Sequence, residues 1–117
     1  MRENIIKNKS FDFALKIVKL YQFLVDQKKE HVMSRQLLKS GTSIGANVRE
    51  AEHGQSKEDF IHKLSISLKE ANETDYWLDL LFHSGYLEKS QYDDIKLDVD
   101  EILRLLVSIV KKSKGLG

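Results

Sequence analysis

The sequence predicts an all-α protein, an antiparallel four-helix bundle with up-down-up-down connectivity, on three observations. Four segments place apolar residues at steps of three and four, the spacing of one helix face. Short polar or glycine-containing connections separate them, which favours antiparallel neighbours. Proline is absent, and no stretch has the alternation of a half-buried strand. The 117 residues are predicted to form one domain, with residues 1–9 and 113–117 frayed.

The first helix is predicted to begin at Ser10, a common N-cap residue, with Asp12 near the positive end of the helix dipole. Two apolar stripes follow: one holds Phe11, Ala14, Val18, Tyr21 and Val25, the other Phe13, Ile17, Leu20 and Leu24. A helix of an isolated bundle needs only about 100° of apolar face. We therefore expect this helix to bury a second side against another subunit, through Phe13, Ile17 and Leu20.

The second helix follows a polar connection at Gln27–His31 and is predicted to begin near Met33 or Ser34. It is predicted to end near His53, because Gly54 is suited to the left-handed conformation that often closes a helix.

The third and fourth helices each begin after a serine. Ser56 starts a capping-box-like sequence before Phe60, and the third helix is predicted to reach about His83, before Gly85. Ser90 is the predicted start of the fourth helix. Its apolar seam has the steps of left-handed bundle packing and comprises Tyr92, Ile95, Val99, Ile102, Leu106 and Ile109.

Two glycines four residues apart, Gly41 and Gly45, interrupt the second helix. Each costs about 1 kcal/mol relative to alanine inside a helix, so the pattern needs a compensating contact. Without side chains at these positions another helix can approach the backbone, while Leu37, Ile44 and Val48 flank the contact. The glycines are therefore predicted to mark close helix packing.

Three segments carry a family resemblance: Ser40–Ala51 (SGTSIGANVREA), Ser56–Thr74 (SKEDFIHKLSISLKEANET) and Asp75–Leu81 (DYWLDLL). They resemble the four-helix bundle proteins encoded in intervening sequences of bacterial 23S ribosomal RNA genes, a family also catalogued under a ribosomal-protein name. The resemblance implies a ring-like homopentamer. It also implies kinship to accessory proteins of diversity-generating retroelements, basic barrels that bind nucleic acid and a reverse transcriptase.

Composition limits the cellular environment and the classes of partner that can be expected for this protein. Cysteine is absent, which excludes disulfides, thiolate metal sites and cysteine nucleophiles. The first residues have no apolar signal core, and no apolar run approaches the roughly 20 residues of a membrane span, so we expect a cytoplasmic protein without membrane contact. The net charge of +1 is unevenly placed: residues 1–29 carry +4, whereas residues 55–87 carry −3. These segments are expected to attract one another within the bundle or between subunits.

Asn47 and Glu73 are predicted to fall on or beside buried faces, three residues after Ile44 and four before Trp77, and Arg49, Glu50 and Glu70 are polar residues near them in the second and third helices. Buried carboxylates are costly unless paired. One hypothesis is a polar network that fixes the register between these helices, and the alternative is a solvated charged face.

The sequence gives little support for a catalytic site or a metal site. Glu50 and His53 form one Glu-x-x-His pair, but a carboxylate-bridged metal pair in a bundle needs two such motifs. Spacing assembles no nucleophile with a base, and there is no cofactor fingerprint. We expect neither an enzyme nor a metal, cofactor or small-molecule substrate.

The first segment supplies the candidate nucleic-acid contacts, Arg2, Lys7, Lys9, Lys16 and Lys19. A pentamer would repeat this basic surface and gain avidity. A solvated lysine-bearing helix face is the alternative. Two functions therefore follow from the sequence: a noncatalytic, self-associating interaction scaffold, or an accessory protein that binds RNA or DNA, ribosomal RNA included.

Overall fold

Four helices run antiparallel to their neighbours in a computed structural model that describes residues 2–116, with side chains from residue 5 onward. They are α1 (Arg2–Asp26), α2 (Met33–Glu52), α3 (Lys57–His83) and α4 (Lys89–Ser113). The molecule measures 44 × 22 × 19 Å. The predicted all-α four-helix bundle is confirmed.

Contacts between helices establish the topology. Helices α1 and α2 are antiparallel: Gly41 of α2 lies against Ile17 of α1, and Gly45, one turn later in α2, lies against Ser10, which comes earlier in α1. The other three neighbouring pairs run in opposite directions in the same way. Their paired contacts are Ser67–Ile44 and Thr74–Ser40 for α3 with α2, Tyr92–Asp79 and Lys96–Asp75 for α4 with α3, and Lys9–Glu101 and Lys16–Asp98 for α1 with α4. Each helix therefore has two neighbours, and the cross-section is a square with α1 diagonal to α3.

The core follows the apolar stripes, and α1 adds a residue that the sequence placed outside its helix. Ile6 is buried, so α1 begins at Arg2 rather than at Ser10. Ser10 is inside the helix, where its hydroxyl donates to the Lys7 carbonyl oxygen at 3.1 Å. The N-cap prediction was wrong because the burial of Ile6 stabilises another two turns of helix. The largest fully buried side chains are Phe13, Ile6, Ile17, Leu24, Leu37, Ile44, Leu64, Leu78, Leu81, Ile102, Leu106 and Val99.

The connection between α1 and α2 depends on Glu30, whose carboxylate accepts hydrogen bonds from the first amides of α2. The amides of Val32, Met33 and Ser34 donate to it at 3.2, 3.1 and 2.7 Å. Burial favours the neutral acid, but these amides outweigh it and lower the pKa of Glu30. Lys29 precedes it with φ +56, a left-handed conformation that turns the chain sharply.

The later helix ends are partly as predicted. Ser56 caps α3 by accepting from the Asp59 amide at 3.1 Å, and the left-handed residue after α3 is Gly85, φ +90. Gly54 does not have the predicted left-handed conformation. A Cβ there would lie 3.3 Å from the Phe60 amide nitrogen, so glycine is favoured because there is little room for a side chain.

The fourth helix begins two residues earlier than the serine suggested. Its N-cap is Glu88, not Ser90, and the Gln91 side chain accepts from the Glu88 amide at 2.9 Å. Capping here uses an amide side chain at N3 in place of a serine hydroxyl at the N-cap.

The α1–α2 contact is formed at the two glycines. A Cβ on Gly41 would lie 2.9 Å from both Cγ1 and Cγ2 of Ile17, and a Cβ on Gly45 would lie 3.3 Å from the Ser10 carbonyl oxygen. Ile17 is fully buried among the other core side chains. Gly41 is therefore where a side chain is excluded by the neighbouring helix.

We predict that Gly41→Ala destabilises the protein because crowding against Ile17, about 1–3 kcal/mol, exceeds the helix-propensity gain of about 1 kcal/mol. Ile17→Ala removes the crowding atoms. In that background Gly41→Ala should raise the free energy of unfolding by about 1 kcal/mol. Urea unfolding of the four proteins measures the coupling; additive effects would contradict the contact.

Candidate functional site

The five polar residues predicted to form a network do not meet in the structure. The Asn47 amide donates to the Ser43 carbonyl oxygen of its own helix at 2.9 Å. Glu50 pairs with Lys63 at the surface, at 2.8 Å, and Glu73 accepts from the Trp77 indole at 3.2 Å within α3.

The other two members lie apart from these contacts. Arg49 packs over the Phe11 ring, with its guanidinium carbon 5.7 Å from the ring centroid. Glu70 contributes its backbone carbonyl oxygen to Thr74. The hydrogen bonds and ion pair thus run within helices or to solvent-facing partners, and do not link these five residues to one another.

Buried hydroxyls take the place of that network between α2 and α3. Ser67 donates to the Ile44 carbonyl oxygen at 2.8 Å, and Thr74 lies 2.9 Å from the Ser40 hydroxyl. Ser40, Ser67 and Thr74 are all fully buried. Among the described residues, no buried side-chain nitrogen or oxygen lacks a hydrogen-bond partner. A sliding register would leave the Ser67 hydroxyl unsatisfied, at about 1–3 kcal/mol, whereas Ser40 and Thr74 would each keep a partner in their own helix.

Sequence spacing contained the signal for these hydroxyls. Ser67 and Thr74 fall on the same steps of three and four as the apolar residues Leu64, Ala71 and Leu78 of α3. A small polar residue in an apolar stripe indicates a buried hydroxyl with a partner on the facing helix. The sequence analysis instead weighted the larger charged side chains.

A second polar cluster joins α3 to α4 around Lys96. Its ammonium group pairs with Asp75 and lies 3.1 Å from Asp79, and the Tyr92 hydroxyl donates to Asp79 at 2.5 Å. The Tyr92 ring stacks on Phe82 with centroids 4.2 Å apart. Carboxylates and aromatic rings thus enclose the one lysine.

The cluster shifts the pKa of each central group. Burial opposes ionisation of Asp79, but the hydrogen bond from Tyr92 and the contacts with Lys96 prevail and lower its pKa. The hydrogen bond to Asp79 raises the pKa of Tyr92. Burial disfavours the charged form of Lys96, but the hydrogen bonds to Asp75 and Asp79 raise its pKa. These protonation states keep the cluster assembled at neutral pH.

Acidic partners occupy three of the five predicted nucleic-acid contacts. Lys7 lies 3.1 Å from Glu52, Lys9 lies 2.6 Å from Glu101, and Lys16 lies 2.7 Å from Asp98. Lys19 is an exposed side chain beside them, and the Arg2 side chain is outside the described part of the structure. These three lysines of α1 therefore form ion pairs with carboxylates of α2 and α4 in the same chain.

The predicted interface residues of α1 are in the core of their own chain. Phe13 and Ile17 are buried, and Leu20 is partly buried against the same core. Phe13 and Ile17 were wrong for a contact between subunits, because periodicity reveals two apolar stripes but does not identify which one faces the bundle; Leu20, which is only partly buried, stays a prediction. From the other stripe, Phe11 is 51% and Val18 37% exposed, and Leu15, which belongs to neither predicted stripe, is 51% exposed beside them.

This outward stripe, Phe11, Leu15 and Val18, is the candidate functional surface; we call it the α1 stripe. Its members follow steps of four and three and so share one helix face. Beside it, a groove of ≈ 420 Å³ between α1 and α2 is lined in part by Ala14, Gly45 and Ala46.

Among the described residues there is neither a cluster of metal ligands nor a helix that could span a membrane. Glu50 and His53 lie at the surface, and nowhere in residues 5–116 do three His, Asp or Glu side chains gather as a metal site would require. None of the described helices has the length and hydropathy to cross a bilayer.

Comparison with known proteins gives a consistent result. A family model described as 23S rRNA-intervening sequence protein matches residues 2–108. A solved structure, of a protein of unknown function from the S23 ribosomal protein family of Bacteroides thetaiotaomicron VPI-5482, has 58% identity and a TM-score of 0.93; the match covers 95% of this chain and 99% of that chain. No curated protein matches.

We predict that Thr74→Val lowers the free energy of unfolding by about 1 kcal/mol, because it removes the hydrogen bond between α2 and α3 without changing side-chain shape and leaves the Ser40 hydroxyl only its 3.4 Å contact with the Leu37 carbonyl oxygen. Asn47→Ala is the matched comparison and should change it by less than about 0.5 kcal/mol. Urea unfolding measures both. Equal effects would contradict the assignment of register to the hydroxyls.

We also predict that Asp79→Asn weakens the acid dependence of stability. The folded-state pKa of Asp79 is lowered, so its contribution is complete above the unfolded-state pKa and is lost as the pH falls through the folded value. Between about pH 6 and about pH 3 the wild type should therefore lose more stability than Asp79→Asn.

Tyr92→Phe should reduce the same acid-dependent loss, since it removes a donor to Asp79 and keeps the ring. Asp12→Asn, at an exposed carboxylate of α1, serves as the control. Denaturant midpoints measured across this pH range test the prediction. Identical pH profiles for wild type and Asp79→Asn would refute the role of Asp79 in the acid dependence of stability.

Proposed function

This chain belongs to the 23S rRNA-intervening sequence protein family, and we propose that it is a noncatalytic bundle whose copies associate and present a scaffold for other molecules. The α1 stripe is the observation that carries the proposal. Its exposed phenylalanine, leucine and valine lie on a helix whose opposite face already fills the core. Contiguous apolar surface of this kind is characteristic of interaction sites.

A noncatalytic role is supported by how the titratable groups are used. Those with shifted pKa values are Lys16, Glu30, Asp79, Tyr92 and Lys96, and each caps a helix or joins two neighbouring helices. The grooves beside the α1 stripe contain no paired nucleophile and base among the described residues. These surfaces are therefore better suited to binding another molecule than to catalysing a reaction.

Self-association is the form of binding that we favour, and the family resemblance suggests five copies in a ring. A second copy provides the same apolar stripe and the same charged borders at the same concentration. Repetition of identical subunits in a closed ring is a common way to cover an apolar helix face.

Nucleic-acid binding is the alternative, and the charge distribution favours it less. Phosphate contacts require available cations, whereas Lys7, Lys9 and Lys16 are paired with carboxylates. Affinity for single-stranded or ribosomal RNA that falls steeply with added salt would support this alternative over the scaffold. Absence of binding at low salt would remove it.

We predict that the wild type sediments as an oligomer at micromolar concentration and that Leu15→Glu with Val18→Glu reduces it to single subunits. Charges on the α1 stripe would have to be desolvated in the contact, which is costly. Leu97→Glu is the matched control, because Leu97 is 71% exposed on the outer face of α4 and is separate from the stripe. Native mass spectrometry and sedimentation give the subunit number. A wild type that remains a single folded subunit contradicts the proposal.

A further inference from the structure

An open groove between α3 and α4 has an apolar floor made of Leu68, Leu103 and Val107, and we call it the α3–α4 groove. Its volume is ≈ 530 Å³. Lys96 pairs with Asp75 between the same two helices. Leu103 follows Lys96 by seven residues and Leu68 precedes Asp75 by seven, so the antiparallel helices bring the two leucines together across the groove. The groove is therefore two turns away from the Lys96 cluster.

The floor of the α3–α4 groove is left partly uncovered by the chain's own packing. Val107 is 37% exposed, and Leu68 and Leu103 are only partly buried against the core. Leu103 and Val107 are four residues apart and so share one face of α4. A floor of this kind accepts the apolar face of an amphipathic helix, whose anchoring side chains recur at steps of three and four.

Two cations of α4 border this floor. Arg104 and Lys111 both line the groove and are exposed, and within residues 5–116 neither forms an ion pair. None of the described residues that line the groove is aspartate or glutamate. The two cations are seven residues apart, about 10 Å along the helix axis, and Val107 lies between them. Two carboxylates seven residues apart on a partner helix would match this separation.

The lining residues favour an acidic protein segment over a nucleic acid. Single-stranded nucleic acids bind where aromatic side chains stack on their bases, and none of the described residues that line the groove is aromatic. Aliphatic side chains contribute to affinity when the partner covers them with apolar groups, which a phosphate backbone lacks. Charged groups at the rim then select the sign of the partner's charge.

A second copy of this chain has the wrong charge to place its α1 stripe in the groove. The stripe is bordered by Lys7 and Arg49, which would face the two cations of the groove. Glu50 lies beside them but is already paired with Lys63. Like charges at the rim of a contact disfavour it. The occupant that complements the groove is therefore an acidic helix of another protein.

We propose that the α3–α4 groove binds an acidic amphipathic helix of another protein. The apolar face of that helix lies on Leu68, Leu103 and Val107, and its carboxylates pair with Arg104 and Lys111. The inference rests on the proposed scaffold role and adds the surface and the chemistry of the molecule that the scaffold holds. It does not require copies to associate, because the groove is complete within one chain.

The test uses the full chain and two synthetic helical peptides. Both peptides carry leucines at steps of three and four on one face. Beside the leucines, the acidic peptide has two glutamates seven residues apart, and the basic peptide has lysines at the same two positions. Fluorescence anisotropy at low salt should show that the acidic peptide binds the wild type at least about tenfold more tightly than the basic peptide.

Variants of the groove should change this preference in a predictable direction. Arg104→Glu with Lys111→Glu should reverse it, because both cations of the rim become carboxylates. Lys112→Glu is the matched control and should leave it unchanged, because Lys112 is exposed in the last turn of α4 but does not line the groove. Val107→Ser should weaken the binding of both peptides at least about threefold, because it removes apolar surface from the floor.

Circular dichroism verifies the folding of each variant, and native mass spectrometry gives its subunit number. Should the double glutamate variant unfold, Arg104→Gln with Lys111→Gln must remove the preference for the acidic peptide. Equal affinity for the two peptides, or no binding of either, refutes the inference whether or not the wild type is an oligomer.

The remaining outcomes separate this inference from self-association. Binding of single-stranded RNA, but of neither peptide, refutes the inference if the double glutamate variant loses it. An oligomer that dissociates on charge reversal in the groove also refutes it, since the groove is then a contact between copies. A wild type of single subunits that keeps the preference for the acidic peptide supports the inference and contradicts only self-association.

Discussion

Close approach of α2 to both of its neighbours is the constraint on which the bundle depends. On one side Gly41 admits Ile17 of α1, and on the other the Ser40 hydroxyl meets Thr74 of α3. Two adjacent residues thus fix two interfaces. Apolar contacts alone tolerate small displacements, whereas a missing Cβ and a paired hydroxyl permit only one alignment. The remaining core residues fill the space that this alignment defines.

Charge completes the arrangement at the surface. The lysines of α1 meet carboxylates of α2 and α4, and Lys96 of α4 meets Asp75 and Asp79 of α3. Exposed ion pairs contribute little stability, commonly below about 1 kcal/mol each. Their larger effect here is on the charge available at the surface. Lys7, Lys9 and Lys16, which the sequence predicted as nucleic-acid contacts, are already paired with carboxylates of the same chain. The outward apolar residues become the distinctive feature of α1.

Sequence reasoning predicted the architecture because helical periodicity and connections are local properties. It placed α2 and α3 within a residue or two of their observed limits, and it identified Gly41 and Gly45 as positions that a neighbour approaches. It failed where a distant contact decided the result. Burial of Ile6 extended α1 beyond Ser10, and the choice between two stripes of α1 depended on which one met the other helices. For the candidate site, the surface could be assigned to α1, but the outward residues could not be distinguished from the core.

The antiparallel square also implies an order of assembly. Three of its four interfaces join helices that are adjacent in the chain, and Glu30 holds the first corner rigidly. Such short-range contacts form rapidly, because little loop entropy is lost. Only the α1–α4 interface joins the two ends of the chain, and it pairs lysines with carboxylates. Closing that interface brings together the most distant parts of the chain, so we expect α4 to meet α1 after the other three interfaces have formed.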